Sequence, residues 1–508
     1  MTSEGTVRSR PVRDRRWLLL VAIPIVVGLV IRLVYYYGVH KGNCPAAWWV
    51  DPKAPIDFSG VCPGDSFVYH ESANLLADGH GMTIPSDFIY SGGEIQRAYA
   101  DHPPLFTWFL AGFSWLGMSS WVWHELLMIG VGLVNIALTG WLGRKLGGIW
   151  VGFLAAMFMA VYPYVWLTNV TVMSENIAMT ANLAVALCCY KLLEDRRWRW
   201  AIALGVFCAA AALVRAEMIF LGPALIVPLV LVHMHDESFR KRLAHIAVAG
   251  LAMVAVLAPW VYRNMTVFNN PVYLSNGIGI TLANTNCHDT YYESVGYWSF
   301  RCIPQLPWTR PEAELRGTDR DTLAMWVDQS GLDAPPDATT DQLVDILLAH
   351  DLVADQSDDE VYLRAVGMDY LTSHKGRLPV VVLARVGRMW NLFHPIQQLE
   401  LENGEGRPED GARFGLVMYY PLMLAAVGGA VVAWRRKIPL LPLLVPAAIV
   451  TFAAVTAFGQ SRYRAPAEPM LLVLSAFGFV GLWEWWKTRG RASPEPADPS
   501  PTVEAARP

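Results

Sequence analysis

Charged residues are scarce in this chain of 508 residues: Asp, Glu, Lys and Arg make up 17% of it, whereas 54% is hydrophobic. This balance, with a mean hydropathy of +0.30, excludes an ordinary soluble protein. Several apolar runs are long enough to cross a bilayer. The net charge is only -4, and no basic run away from those apolar segments points to nucleic acid. The composition predicts an integral membrane protein.

Cysteine is also rare, with seven in the chain. Three lie inside apolar runs and are expected to be ordinary buried thiols: Cys188, Cys189 and Cys208. The other four lie in two polar stretches. In an oxidising compartment, local pairing would join Cys44 to Cys62 and Cys287 to Cys302, although four cysteines allow three connectivities.

The N-terminal apolar run, residues 17–37, is not followed by the small-residue site at which a secretory signal is cleaved. Five arginines precede it, and its length of about twenty residues suits a membrane span. It is therefore predicted to be an uncleaved anchor, with residues 1–16 in the cytoplasm.

Lys and Arg in the short loops orient ten predicted spans, with both termini cytoplasmic and the first loop, 38–120, outside. The spans are residues 17–37, 121–142, 149–166, 175–193, 200–214, 218–232, 243–262, 414–434, 440–458 and 469–486. The apolar segment 105–118 is short for a crossing and is expected to be re-entrant or interfacial. Segment 378–393 is long enough to span, but the charge pattern favours an amphipathic helix on the outer surface.

The predicted fold class is an α-helical polytopic membrane protein with outside segments between its spans. After a seven-span module, 17–262, comes an extracytoplasmic soluble insert, 263–376, of expected mixed α/β structure. An interfacial helix and three spans follow in 377–489, and a disordered cytoplasmic tail occupies 490–508. In the insert, Asn276-Gly277 indicates a turn, and residues 357–360 form a predicted capping box that opens a helix.

Two carboxylates in the first loop each precede an apolar segment. Asp65 begins the run Asp-Ser-Phe-Val-Tyr, and Asp101 precedes His102 and two prolines. Because proline is tolerated in the first helical turn, both acids are predicted at helix N-termini, where a negative charge or a bound anion is favoured. Two solvated loop acids are the alternative interpretation.

Other ionisable residues gather on the same outer face in this topology. They are Glu71, His102, Glu175, Arg215, Glu217, Arg263, Arg462 and Arg464. Ionisable groups at membrane depth are costly and are functional candidates. A transporter would spread them along a path near the midplane, whereas a cluster at one interface suits chemistry on a lipid-borne substrate. A structural Arg215–Glu217 ion pair and a helix-end anchor at Arg263 remain alternatives.

Six short motifs occur in order along that face: G-D-S-F-V-Y at 64–69, D-H-P-P-L-F at 101–106, Y-P-Y-V-W with M-S-E-N between 162 and 176, L-V-R-A-E at 213–217, A-P-W-V-Y-R-N at 258–264 and S-R-Y-R-A-P at 461–466. Together they resemble the membrane glycosyltransferases of the GT-C fold, in the branch of protein O-mannosyltransferases and the lipid A aminoarabinose transferase. The resemblance covers nearly the whole chain.

The resemblance implies transfer of a sugar from a polyprenyl-phosphate donor to an acceptor hydroxyl at the outer face of the plasma membrane. Asp65 matches the catalytic first-loop aspartate, and Asp101 matches an acid before the prolines. Arg462 and Arg464 match basic residues near the lipid phosphate. Glu175 falls where the oligosaccharyltransferase branch has an acidic metal-binding motif, so a divalent cation at Asp65 and Glu175 is one open alternative.

The catalytic candidates are Asp65 and Asp101. In the expected reaction Asp65 is the general base, and inversion follows from a single attack. The leaving phosphate requires positive charge rather than a strong acid. The residues expected to bind it are Arg462, Arg464, Arg263 and Tyr463, and the remaining substrate-binding candidates are His102, Glu175, Arg215, Glu217 and Tyr69. The acceptor would be a lipid, a glycan or a protein. A diphosphate-linked donor, a transporter or lipid flippase, and a non-catalytic envelope scaffold are the alternatives.

Overall fold

A computed structural model describes residues 15–40, 64–403 and 407–489, and the regular elements in these ranges are helices. The α-helices are α1 Arg15–Tyr35, α2 Gly64–Ala77, α3 Pro85–Tyr90, α4 Leu105–Trp115, α5 Trp121–Gly147, α6 Ile149–Val161, α7 Pro163–Trp166, α8 Glu175–Asp195, α9 Trp198–Val214, α10 Val227–His233, α11 Phe239–Val267, α12 Ile278–Thr285, α13 Glu312–Arg316, α14 Arg320–Gln329, α15 Thr340–Asp351, α16 Gln356–Ser373, α17 Leu378–Met389, α18 Pro395–Glu402, α19 Glu409–Arg435, α20 Leu441–Thr456 and α21 Glu468–Arg489. Short 3₁₀ or π segments connect several of them.

Seven helical segments of the described chain are long and apolar enough to cross a membrane, and an eighth is a bent pair. The polytopic helical class is thus confirmed, and all ten predicted spans are helical. Two of them, α9 and α20, have only 17 and 16 residues. The predicted span 149–166 is bent, because the two helical halves of this segment meet at 61°. Pro163 explains the break, since it lacks an N–H and pushes Tyr162 to extended backbone.

A buried arginine of the first span fixes this break. Arg32 in α1 donates from Nε and Nη2 to Asn169 Oδ1, at 2.9 and 2.6 Å. Its Nη1 donates to the carbonyl oxygen of Ala160 at 3.1 Å, at the C-terminal end of α6, where a positive charge is favoured. These bonds anchor the short segment that leads from the break to Glu175, at the start of α8.

The insert, all of which the structure describes, is helical and contains no strand, so the predicted mixed α/β structure is wrong. Its apolar residues recur at helical spacing, and they form a small core between α14 and α15 that includes Leu323, Val327, Leu343 and Leu347. A second small core joins α12 to α16. Helices with their own apolar faces therefore take the place of a sheet.

The capping box of α16 begins two residues earlier than predicted. Asp355 is the N-cap and accepts a bond from Ser357 N at 2.7 Å, while Asp358 accepts one from Asp355 N at 2.8 Å. Glu360 is therefore not part of the cap. Its Oε2 instead accepts a bond from Gly279 N at 2.5 Å.

The cysteines follow the prediction where they can be seen. Cys287 and Cys302 form a disulfide within the insert, and Cys188, Cys189 and Cys208 are buried thiols. The second predicted pair, Cys44 with Cys62, lies outside the described residues.

Helix α17 joins the insert to the last three predicted spans. It has 12 residues, too few to cross a bilayer on its own. Its two arginines face inward: Arg385 donates to Thr285 O at 2.8 Å, and Arg388 donates to Val295 O at 2.6 Å. The opposite face leaves Leu383 exposed. The predicted amphipathic pattern is present, and its polar face holds the insert.

Candidate active site

A cavity of about 1950 Å³ lies between the first-loop helices, the spans and the insert. All the predicted candidates except Glu71, Arg263 and Arg464 line it: Asp65, Tyr69, Asp101, His102, Glu175, Arg215, Glu217, Arg462 and Tyr463. Segments up to 398 positions apart in sequence therefore meet at one site, as their predicted location on one face requires.

A chain of alternating charges crosses one wall of the cavity. Arg462 Nη2 lies 3.1 Å from Asp65 Oδ2, and Arg462 Nε lies 3.2 Å from Glu175 Oε1. Arg215 continues the chain, with Nη1 3.5 Å from the same Glu175 oxygen and Nε 2.7 Å from Glu217 Oε1. Two guanidinium groups thus stand beside each other at the cavity wall, spaced by carboxylates.

Local structure explains how each charge reaches this wall. Asp65 lies in the first turn of α2 and Glu175 in the first turn of α8, both favourable positions for an acid. Arg462 lies in the 3₁₀ helix Ser461–Ala467. The ring of the next residue, Tyr463, has the guanidinium carbons of Arg215 and Arg462 at 4.5 and 5.1 Å from its centroid. The aromatic ring holds the two cations close together through their attraction to its π face.

Asp65 is the most accessible member of this chain of charges. Its side chain is 39% exposed, whereas those of Arg462 and Glu175 are 4% and 0% exposed. Partial desolvation raises the pKa of Asp65, but the Arg462 guanidinium, with His102 and Arg215, outweighs it and holds that pKa below its usual value. With Arg462 bound to it, Asp65 is an ionised but weak base.

Asp101 differs from Asp65 in its electrostatic setting. Burial raises the pKa of Asp101, His102 opposes that effect, and the charge of Asp65 adds to it, so the net direction is upward. Asp101 Oδ2 lies 3.4 Å from His102 Nδ1, and that nitrogen is hydrogen-bonded to the Tyr99 hydroxyl at 2.6 Å. Tyr69 is buried and packs its ring 4.7 Å from that of His102, so it supports the imidazole from behind.

The insert contributes a wall that the sequence did not predict residue by residue. Glu360 and Arg364 of α16 line the cavity. Burial raises the pKa of Glu360 to about 7. The insert is tied to the first loop because Asn276 N donates to Ala100 O at 2.8 Å and Ala100 N donates to Gln356 Oε1 at 3.0 Å. No local signal marks such contacts, since they join residues more than 170 positions apart.

Arg464, predicted to bind the donor phosphate, does not line this cavity. It is fully buried, with Nε 2.6 Å from Glu468 Oε1 and Nη1 2.6 Å from Met389 O. In a 3₁₀ helix of three residues per turn, positions two apart point in different directions. Arg462 therefore faces the cavity and Arg464 faces the protein interior.

Arg263 also lies away from the cavity lining, contrary to its predicted contact with phosphate. Its Nη1 donates to Tyr99 O at 3.2 Å and to Asn264 Oδ1 at 2.9 Å, and its Nη2 donates to Met82 O at 3.3 Å. These bonds hold the loop that carries Asp101. The contacts therefore favour the alternative that Arg263 is a structural anchor at the end of its helix.

The two carboxylates considered for a divalent cation do not fit that role here. The guanidinium of Arg462 contacts both Asp65 and Glu175, so a positive charge already occupies the position between them. Hard cations take about six or more oxygen ligands. Within the described ranges no group of three or more His, Cys, Asp or Glu side chains is placed to hold a metal.

An apolar wall adjoins the charges. Ile219 and Phe220, just beyond Arg215, line the cavity together with Phe452 of α20. The rings of Phe220 and Phe452 have their centroids 5.4 Å apart, and both side chains are exposed. The cavity is therefore amphiphilic, with a cationic and acidic end beside an apolar surface.

Comparison with solved structures gives distant similarities, including those to AglB and ArnT. The archaeal oligosaccharyltransferase AglB from Archaeoglobus fulgidus, in complex with an inhibitory peptide and a dolichol-phosphate, is 11% identical; the match covers 96% of this chain and 53% of AglB, with a TM-score of 0.47. ArnT from Cupriavidus metallidurans, bound to undecaprenyl phosphate, is 15% identical; the match covers 95% of this chain and 82% of ArnT, with a TM-score of 0.35. The chain thus spans about half the length of AglB.

Sequence comparison gives a match of part of the chain to one family model and no individual relative. No curated protein matches this chain. Residues 101–262 match the family model described as dolichyl-phosphate-mannose-protein mannosyltransferase. That segment contains Asp101, Glu175, Arg215 and Glu217 of the cavity. The predicted resemblance to the protein O-mannosyltransferase branch of the GT-C membrane glycosyltransferases is thereby confirmed over residues 101–262.

Proposed function

We propose that this protein is a glycosyltransferase that moves a sugar from a polyprenyl-phosphate donor to an acceptor hydroxyl at the outer face of the plasma membrane. The observation that carries the proposal is the contact between accessible Asp65 and Arg462, at 3.1 Å, inside a cavity that also has an apolar wall. A polyprenyl-phosphate sugar has matching parts: an apolar chain, an anionic phosphate and a polar sugar. The dolichol-phosphate and undecaprenyl phosphate in the AglB and ArnT structures support this choice of donor.

In this proposal Arg462 and Arg215 bind the donor phosphate, and Tyr463 keeps the two guanidiniums together. The phosphate leaves as a stable anion, so it needs positive charge rather than a strong proton donor. Guanidinium groups suit this task because they offer several N–H donors to phosphate oxygens at once. The exposed rings of Phe220 and Phe452 provide the surface for the first isoprene units.

Donor binding then prepares the base. A phosphate that takes Arg462 away from Asp65 removes the interaction that lowers the pKa of that carboxyl, and Asp65 becomes a stronger base. Asp65 accepts the proton of the acceptor hydroxyl as its oxygen attacks the anomeric carbon, and the bond to the phosphate oxygen breaks. One displacement inverts the anomeric configuration. Asp101 and His102 orient the acceptor beside Asp65.

The insert wall, with Glu360 and Arg364, faces the same cavity and is proposed to contact the acceptor, which is a lipid, a glycan or a protein. The proposed topology places the cavity on the extracytoplasmic side and both termini in the cytoplasm. Nucleotide sugars are not expected outside the cytoplasm, so a lipid-linked donor is required at that location.

Mass spectrometry of envelope glycans from cells with and without this protein tests the proposal. A transferase predicts a glycan, glycolipid or glycoprotein that loses one sugar in the deletion strain and regains it with the wild-type gene but not with Asp65→Asn. A flippase predicts accumulation of an unmoved lipid, with restoration by Asp65→Asn. A scaffold predicts no lost sugar, which would contradict the proposal.

A further inference from the structure

Helix α18 ends at a fully buried carboxylate that has no part in the chemistry described above. Glu402 is 0% exposed. Its Oε1 accepts a bond from the backbone N of Ser461 at 2.7 Å, and its Oε2 accepts one from Ser461 Oγ at 2.7 Å. One carboxylate therefore holds both the backbone and the side chain of the residue immediately before Arg462.

A buried arginine completes this grip. Arg407 Nη1 lies 3.3 Å from Glu402 Oε2 and donates to Ser461 Oγ at 2.6 Å. Gln398 Nε2 donates to Glu402 Oε1 at 2.6 Å. The carboxylate thus accepts four hydrogen bonds and has a counter-charge, which is the condition under which a buried ion is tolerated. Glu402, Arg407 and Ser461 all lie behind the cavity lining.

The segment before Ser461 is held in the same way. Gly459 N donates to Gly296 O at 2.9 Å, and Gln460 Nε2 donates to the Tyr297 hydroxyl at 3.4 Å. Well-packed apolar residues often stabilise a fold as well as a buried ion pair does. Hydrogen bonds to both the backbone and the side chain of Ser461, by contrast, fix its orientation. Ser461 directly precedes Arg462, which contacts Asp65 and Glu175.

We infer that Glu402 is a positioning residue, which orients the Ser461–Ala467 helix so that the Arg462 guanidinium points at the donor phosphate. This inference rests on the role proposed for Arg462. Its specific content is that α18, between the insert and the last spans, controls the donor site without touching the donor.

A double-mutant cycle tests the inference. Glu402→Gln, Arg462→Ala and the double variant are reconstituted in nanodiscs, and kcat and KM for transfer from a polyprenyl-phosphate sugar are measured together with binding of undecaprenyl phosphate. Glu402→Gln alone is expected to lower kcat/KM for the donor by on the order of 10-fold, and by less than about 2-fold when Arg462 is already Ala. A glutamate that acts only on stability would cause equal losses in both backgrounds.

Glu125→Gln is the matched control, because Glu125 is also buried and also accepts a side-chain hydrogen bond, from the Tyr36 hydroxyl at 2.7 Å, away from the cavity. It is expected to change kcat/KM less than about 2-fold in either background. If Glu402→Gln does not fold, Ser461→Ala removes only the hydroxyl contacts and should show the same dependence on Arg462.

The possible outcomes separate the two levels of the proposal. Equal losses in both backgrounds, with a wild type that transfers sugar, overturn the positioning role and leave the proposed function standing. If no transfer is found, binding of undecaprenyl phosphate decides the cycle in its place. A wild type that neither transfers sugar nor binds undecaprenyl phosphate overturns both.

Discussion

Arg462→Lys separates the geometry of the donor site from its charge. Arg462 uses two different nitrogens, Nη2 for Asp65 and Nε for Glu175, and the planar guanidinium fixes both at once. Lysine keeps the positive charge but concentrates it on one ammonium, which reaches one carboxylate or one phosphate oxygen at a time. The variant therefore loses one charge-assisted hydrogen bond at the leaving phosphate.

The size of the effect follows from that single bond. A hydrogen bond to a charged group contributes about 1.5–3 kcal/mol. At 1.36 kcal/mol per factor of ten, kcat falls ~10- to 150-fold. Folding should be little affected, because Arg215 still pairs with Glu175 and the ammonium still faces Asp65. Arg462→Ala is the contrasting variant, since it removes one of the two guanidinium groups that contact buried Glu175, leaving only Arg215 there, and so costs stability as well.

The assay is single-turnover transfer from saturating polyprenyl-phosphate sugar by protein in nanodiscs, with thermal unfolding measured on the same samples. Saturating donor separates kcat from donor affinity. The reasoning predicts a large fall in kcat with an unfolding midpoint close to that of the wild type. An Arg462→Lys enzyme within about 3-fold of wild-type kcat would show that the guanidinium fork is not used at the phosphate.

Three further outcomes follow from the structure. Burial raises the pKa of Glu360 to about 7 from its usual 4.5, so the folded state binds this proton more tightly than the unfolded state, and the protein loses stability as pH rises from 4.5 to about 7. Thermal unfolding measured across this pH range should show a smaller loss of stability for Glu360→Gln than for the wild type. Equal losses in the two proteins would contradict the burial of this carboxyl. Arg464→Met leaves buried Glu468 without its ion-pair partner and should lower the free energy of unfolding by about 3–5 kcal/mol, with the kcat of the folded fraction unchanged. A selective loss of donor binding would instead support the predicted role of Arg464 at the phosphate. Replacing Cys287 and Cys302 by serine removes a disulfide that spans 15 residues and should destabilise the insert by about 3 kcal/mol. Limited proteolysis should then cleave the insert of the double variant faster than that of the wild type. An unchanged cleavage rate would contradict the prediction.

The candidate site was largely predictable because its chemistry is concentrated in rare residues. In a chain with few charges, acids and arginines at span ends stand out, and lysines and arginines in the short loops assign those ends to one face. Asp65, Glu175, Arg215 and Arg462 were found in this way, and the structure brings them to one cavity. Their pairing was not predictable, since Asp65 and Arg462 are separated by 397 positions.

What the sequence did not predict depends on local backbone geometry and on contacts between distant residues. The family resemblance assigns both Arg462 and Arg464 to the lipid phosphate, but the 3₁₀ geometry turns Arg464 to the interior. No local sequence pattern indicates the role of Glu402, because that role depends on a contact with Ser461, which is 59 positions away. Arg32, by contrast, is recognisable from the sequence as a lone arginine in an apolar run. Pro163 likewise indicates the break between α6 and α7, which Arg32 stabilises.

The most direct test of the proton-accepting role of Asp65 uses purified wild-type and Asp65→Asn protein, each reconstituted with a polyprenyl-phosphate sugar and a membrane fraction from cells that lack this protein. Mass spectrometry then measures the freed polyprenyl phosphate and the glycosylated product. The wild type should form both in equal amounts, and a folded Asp65→Asn should form neither at a comparable rate. Near-normal turnover by Asp65→Asn would contradict the assignment.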